Sequence, residues 1–181
     1  MTSDPHVDAE PLHSATIDSP VGPLRVVASS VGVRAVLWPG DDVTRVPDLA
    51  RVDLEATVPS GVRRTIDEVA RQLAEYFDGT RTDFDVPLDA VGSEFQREAW
   101  LALRQIPFGE TISYGEQAAR MGDRNKARAV GAANGRNPIS IIVPCHRVVG
   151  TNGSLTGFAG GVNTKQYLLD HERRVSGRSL L

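Results

Sequence analysis

Apolar and polar residues alternate twice early in the chain, first at Leu24, Val26 and Ala28, then at Val33, Ala35 and Leu37. Alternation at period two marks strands with one buried face. The runs are separated by Ser19-Pro20-Val21-Gly22-Pro23 and by Val31-Gly32, both built from turn residues. Residues Ala15 to Trp38 are therefore expected to form an antiparallel meander. Residues 39–59 are rich in Pro and Asp and show no period. From Gly61 to Phe77 the period becomes helical, with Val62, Ile66, Val69, Leu73 and Phe77 on one face and Asp78-Gly79 as the stop. Thr80 to Val91 reads as a linker with a short extended piece.

The second half has a different texture. Ser93-Glu94-Phe95-Gln96 is a capping box that opens a helix to about Gln105, its apolar face made by Phe95, Ala99 and Leu103. Ile106-Pro107-Phe108-Gly109 breaks it. Ser113-Tyr114-Gly115-Glu116 is a second capping box, starting a short helix that stops at Gly122. After Gly122-Asp123-Arg124, Asn125 is placed to cap a third helix from Lys126 to about Asn134. Two short helices joined by a tight turn have the proportions of a helix-turn-helix, which also occur in plain packing units.

The third helix carries Ala127, Ala129, Gly131, Ala132 and Ala133 and is followed by Gly135, so it has almost no bulk. A slim helix can pack tightly on other helices, or it can press its backbone on the minor groove of DNA, which is only about 6 Å wide. Arg128 projects from its first turn, where the positive helix end also favours phosphate. Further on, Ile139-Ser140-Ile141-Ile142-Val143 reads as a buried strand leading into Pro144-Cys145-His146-Arg147-Val148.

Charge divides the chain. Residues 1–92 hold 8 arginines against 16 acids, and residues 93–181 hold 12 basic residues against 7 acids. An acidic half followed by a basic half suits a support domain and a domain that meets an anion. No run approaches the roughly 18 apolar residues of a membrane span. Met1 to His13 is polar and acidic, read as a disordered tail and not a signal peptide. The single cysteine permits neither an internal disulfide nor a multi-thiolate zinc site, and fits a reducing, cytoplasmic setting.

Cys145 is thus either a buried bystander or a reactive centre. Pro144 fixes the backbone before it, and His146 and Arg147 favour a thiolate. His171-Glu172 supplies a carboxylate able to orient the histidine, in the logic of nucleophile, base and orienter. Side chains at i and i+1 usually diverge, so a water bridge between thiol and imidazole stands beside direct contact.

Pro144-Cys145-His146-Arg147-Val148 resembles the active-site signature of the O6-alkylguanine-DNA alkyltransferases, also called methylated-DNA–protein-cysteine methyltransferases. The similarity continues through Tyr114-Gly115-Glu116, Arg128-Ala129-Val130-Gly131, Ala133-Asn134, Asn137-Pro138, Gly157, Gly160-Gly161 and Leu168-Leu169-Asp170-His171-Glu172. It covers residues 93 to 173 closely and the N-terminal half loosely. It implies an α/β (α+β) fold: an N-terminal ribonuclease-H-like α/β domain with antiparallel strands and a linker (residues 14–91), then a mostly helical domain with a helix-turn-helix (residues 92–181).

The resemblance also implies direct-reversal DNA repair, in which Cys145 takes the alkyl group of O6-alkylguanine, and of O4-alkylthymine, in a single turnover. His146 activates the thiol and Glu172 holds His146, while Tyr114 donates to the extruded base. Arg128 enters the duplex, helped by Ala127, Ala129, Gly131, Arg136 and Asn137, the last bracing the turn before the active-site segment. Tyr114, Val148, Phe158, Ala159 and Gly160 line the pocket. Phe158 stands where tyrosine is common, and Ala159 offers only its backbone. The implied partner is double-stranded DNA carrying alkylated guanine, met in the minor groove by a monomer, with cooperativity on DNA left open. No cofactor and no metal are implied, since the N-terminal metal ligands of some relatives have no counterpart. A papain-like hydrolase and a non-catalytic helix-turn-helix lesion-binding protein are the alternatives.

Overall fold

The computed structural model describes residues 10–177. Strands β1 (His13–Ile17), β2 (Leu24–Ala28) and β3 (Val33–Leu37) pair antiparallel in the order β1-β2-β3, as the alternation predicts. One difference lies in β3. Val27 pairs with Ala35 but Ala28 pairs with Val33, so Arg34 is an extra residue and the faces switch across it. Val33 and Val36 therefore join the large core, while Ala35 and Leu37 pack with Leu12, Val27 and Val46 on the opposite face. The Arg34 guanidinium leaves the bulge to pair with Asp89 at 2.6 Å.

The segment read as a tail is tied down before His13. Leu12 is fully buried and bridges Val52, and His13 opens β1; residues 1–9 lie outside the described residues. The aperiodic stretch contains two short 3-10 turns, Val43–Arg45 and Leu49–Arg51. Helix α1 (Ser60–Asp78) ends at Gly79, whose φ of 86° is the left-handed cap that glycine adopts without strain. Its buried face includes Tyr76, while Phe77 is only half-buried. The extended piece of the linker runs parallel to β3, with Val33 N–H donating to Pro87 O and Asp89 N–H to Val33 O.

In the second half, α2 (Glu94–Leu103) and α3 (Tyr114–Arg120) both start with complete capping boxes, at Ser93/Gln96 and Ser113/Glu116. The buried face of α2 is Ala99, Trp100 and Leu103; Phe95 is half-buried, with the Lys126 ammonium 5.8 Å from its ring centre. Helix α4 (Ala127–Gly135) starts later than expected. A 3-10 turn, Arg124–Lys126, capped by the Asp123 side chain, intervenes, and α4 itself begins at Ala127 without a side-chain cap. The Gln117 and Asn134 amides bond each other at 2.7 and 3.1 Å, and Trp100 Nε1–H donates to Ala133 O at 2.8 Å. Those buried bonds hold the three helices as one unit. Strands β4 (Ile112–Ser113) and β5 (Val148–Val149) pair parallel, and α5 (Val162–Val175) closes the fold. A single large core joins Val26, Val36, Val69 and Tyr76 to Ile139, Val143 and Leu168, so the two halves share one interior.

Candidate active site

The segment before Cys145 is buried, as its apolar run requires, but it is not a strand. Ile139 makes one bridge to Val36, and the chain then folds back, with Ile142 N–H donating to Ser140 O and Val143 N–H to Ile139 O. Ile141 sits at φ 71°, a left-handed conformation that is an outlier for a β-branched residue. Such a conformation costs of order 1–3 kcal/mol and persists only where the surroundings over-determine it. Asn137 supplies much of that constraint. Its amide donates to Val143 O at 2.8 Å, and its Oδ1 accepts from Ile139 N–H at 3.0 Å. Arg45, from the aperiodic N-terminal stretch, donates to Asn137 O and is fixed by Asp41 at 2.8 Å. Asn137 is 2% exposed, so it braces the turn from inside and does not share a surface with Arg128.

Cys145 opens a 3-10 turn, Cys145–Arg147, that delivers the chain to β5. His146 and Glu172 beside it are fully buried, and His146 Nε2 lies 2.7 Å from Glu172 Oε1. The carboxylate also accepts from Arg147 Nε at 2.9 Å, Arg147 Nη2 at 3.0 Å, Tyr76 Oη at 2.9 Å and Gly109 N–H at 3.0 Å. Burial works to raise its pKa, but His146 and Arg147 outweigh that and hold it well below the usual carboxylate range. An ionised Glu172 requires His146 to donate Nε2–H, leaving the lone pair on Nδ1. That nitrogen is buried and has no hydrogen-bond partner among the described residues. Burial depresses the His146 pKa against the pull of Glu172, so the imidazole rests neutral.

Arg147 does not serve the thiol, contrary to expectation. Its guanidinium is spent on Glu172 and on Ile106 O at 2.6 Å. Burial pushes the Cys145 thiol up; the Asn137 side chain, Lys165 and Arg45 pull it down. Lys165 is the unforeseen member of the site. It is 1% exposed, its burial lowers its pKa, and its Nζ donates to Val148 O at 2.6 Å and Thr156 O at 3.4 Å. On an amphipathic C-terminal helix a lysine ordinarily marks the wet face, so no local pattern announces it.

Tyr114, the first residue of α3, is half-buried beneath this ammonium, which lies 6.0 Å from its ring centre. Its hydroxyl donates to Thr156 O at 3.4 Å, and burial raises its pKa, so it remains a donor. Gly131 is half-buried and faces this ring; a Cβ there would lie 3.6 Å from Tyr114 Cδ1. Val148 is buried in the floor. Over the site runs the loop 150–161, with Phe158 and Gly160 half-buried and Ala159 exposed. On the outer side of α4, Arg128, Ala129, Ala132 and Gly135 are exposed, together with Arg124, Lys126 and Arg136; Ala127 is half-buried. Among the described residues no cluster of His, Cys, Asp and Glu is arranged to hold a metal ion, and no helix is long and apolar enough to cross a membrane.

Comparison with known proteins accounts for both halves. Residues 12–90 match the family described as "6-O-methylguanine DNA methyltransferase, ribonuclease-like domain", and residues 94–174 match its "DNA binding domain". A methylated-DNA–protein-cysteine methyltransferase of Methanosarcina acetivorans is 44% identical over 89% of this chain and 98% of its own length. One from Mycobacterium bovis is 46% identical over 90% of this chain and 93% of its own. The crystal structure of Mycobacterium tuberculosis OGT in complex with DNA superposes with a TM-score of 0.77 at 43% identity, covering 90% of this chain and 94% of that one.

Proposed function

The chain belongs to the 6-O-methylguanine DNA methyltransferase family and reverses DNA alkylation by moving the alkyl group to a cysteine, and from that premise we propose that Cys145 is the acceptor, served by His146, Glu172, Tyr114 and Lys165. One observation carries this assignment. The only cysteine of the chain stands next to a buried histidine whose tautomer Glu172 fixes with the basic nitrogen free.

His146 Nδ1 takes the thiol proton, directly or through one water, and the sulfur attacks the alkyl carbon in line. The S–C bond forms as the C–O6 bond breaks, the electron pair leaves with guanine, and the thiol proton finally resides on the base. Tyr114 Oη–H and the backbone amide at Ala159 donate where charge builds on the leaving guanine, in the manner of an oxyanion hole. Lys165 opposes the desolvation of the thiolate. The product is a thioether, which offers water no carbonyl, so each molecule acts once.

A base inside a duplex hides its O6 and must be flipped out, at a few kcal/mol. Arg128 fills the vacated position, and the small exposed residues Ala129, Ala132 and Gly135 let α4 press on the minor groove, with Arg124, Lys126 and Arg136 near phosphates. The partner is duplex DNA carrying O6-alkylguanine or O4-alkylthymine, met by a monomer in the cytoplasm. A module that only binds lesions would leave the buried Cys145–His146–Glu172 arrangement without a purpose.

The test is intact-protein mass spectrometry after mixing the protein with excess O6-methylguanine duplex. One methyl group per molecule, located on Cys145 and lost in Cys145→Ser, is expected. Repair of many sites per protein, or an unmodified Cys145 after repair, overturns the assignment.

A further inference from the structure

Trp38 follows β3 directly and is 5% exposed. It belongs to the N-terminal half, yet its indole touches both sides of the site. Nε1–H donates to Ser140 Oγ at 3.0 Å, within the folded-back turn that Asn137 holds in front of Cys145. Its ring meets Phe158 edge-on, with centres 5.4 Å apart and planes at 60°. The indole also covers Gly160 so closely that a Cβ there would lie 2.8 Å from Trp38 Cδ2 and Cε2.

The loop 150–161 has few other attachments. Most of it is exposed, and Phe158 and Gly160 are among its few half-buried positions. Its other bonds toward the site, from Tyr114 Oη and Lys165 Nζ to Thr156 O, are both 3.4 Å long and weak. One rigid side chain therefore spaces the cover loop from the turn that carries the thiol. We propose that Trp38 is a specificity-determining positioning residue: it fixes the gap between Cys145 and the 157–161 cover, and so the size of alkyl group that reacts well. This inference rests on Cys145 being the alkyl acceptor.

The gap matters because a displacement of about 1 Å in a reacting geometry can cost 10²-fold in rate. A small methyl group depends on the loop to hold the base in place. A benzyl group fills the space and seats itself against a loosened loop. Removing the spacer is thus expected to slow methyl transfer more than benzyl transfer.

Single-turnover transfer from O6-methylguanine and from O6-benzylguanine, in the same duplex, tests this with the full chain. Trp38→Leu is expected to raise the benzyl-to-methyl rate ratio about tenfold, and Trp38→Phe, which keeps a ring against Phe158, to restore most of the original ratio. Gly160→Ala, where no left-handed φ intervenes, should slow transfer in the parent protein and much less in the Trp38→Leu background, because the new Cβ no longer meets the indole. Equal slowing of both substrates in Trp38→Leu, with the same Gly160→Ala penalty in both backgrounds, would show a purely structural tryptophan. Limited proteolysis needs no activity: cleavage within residues 150–161 should accelerate in Trp38→Leu, and an unchanged rate overturns the anchoring. Absence of any methyl transfer by the parent protein would instead refute the acceptor assignment, while the proteolysis still decides the role of Trp38.

Discussion

Tyr76 Oη donates to the Glu172 oxygen that also faces His146 Nε2, at 2.9 and 2.7 Å respectively. Tyr76 belongs to α1, so the acidic N-terminal half contributes to the relay behind the thiol as well as supporting the fold. Burial and the neighbouring carboxylate push the phenol pKa well up, which keeps the hydroxyl a donor throughout the working pH range. Arg147, Gly109 and Tyr76 thus hold Glu172 from three directions, and the imidazole receives a fixed partner.

Tyr76→Phe tests that arrangement without opening a cavity, because the ring still packs among Phe77, Phe84, Phe108 and His171. A hydrogen bond to a charged group contributes about 1.5–3 kcal/mol, so chemical denaturation should show a loss of that order. Transfer should slow by less than in His146→Ala, where losing a general base takes roughly 10² or more. Unchanged stability would mean that the other donors compensate fully.

The depressed pKa values of His146 and Glu172 carry a sign for stability. Each group binds its proton less readily folded than unfolded, so each contributes stability above its ordinary pKa that is lost as pH falls. Thermal stability should decline as pH drops below about 6.5, through His146, and further below about 4.5, through Glu172. Glu172→Gln leaves Arg147 buried without its counter-ion, a loss of about 3–5 kcal/mol at neutral pH. Its gap from the parent protein should narrow as pH falls below about 4.5, where Glu172 begins to lose its contribution in the parent. A gap that stays constant would place the stabilisation elsewhere.

Much of this was legible in the sequence where the signal was local. The capping boxes at Ser93 and Ser113 and the order of the three-stranded meander rest on signals within a few residues, and each is present in the structure, although the alternation of β3 breaks at the Arg34 bulge. The misses share a different physics. Residues 139–143 are apolar because they fill the interior, and burial alone does not distinguish a strand from a turn pinned by Asn137 and Arg45. Lys165, Tyr76 and Arg45 enter the site only through contacts spanning 17, 96 and 92 residues, for which a periodic pattern holds no trace. Asn125 does not cap α4, which starts without a side-chain cap; it lies inside a 3-10 turn whose own cap is Asp123, and its backbone N–H donates to the Asp123 carboxylate.

Substitution of Arg128 should separate duplex repair from chemistry on a free base. It is exposed on α4, outside the buried relay, so Arg128→Ala should weaken duplex binding and slow duplex repair far more than reaction with free O6-benzylguanine. Tyr114→Ala should slow both. Duplex affinity should also fall steeply with salt, since cations on the face of α4 release counterions from DNA. Equal losses on both substrates for Arg128→Ala would move its role from the groove to the pocket or the fold.

Alkylation should destabilise the protein it ends on. Cys145 is only 9% exposed, and its amide is bonded to Val143 O within the turn that Asn137, Ser140 and Arg45 hold together. Interiors are packed as densely as organic crystals, and one extra carbon in a filled site commonly costs about 1–3 kcal/mol. That turn already stores strain at Ile141, so it has little slack to absorb a thioether. The melting temperature of the methylated protein should therefore fall by several degrees, and that of the benzylated protein by more. Arg45→Ala loosens the same turn from outside, so alkylation of that variant should cost less than alkylation of the parent. Calorimetry on the free and alkylated forms of both proteins measures these differences. An unchanged or raised melting temperature for both adducts would mean that the pocket accommodates the alkyl group without moving the turn.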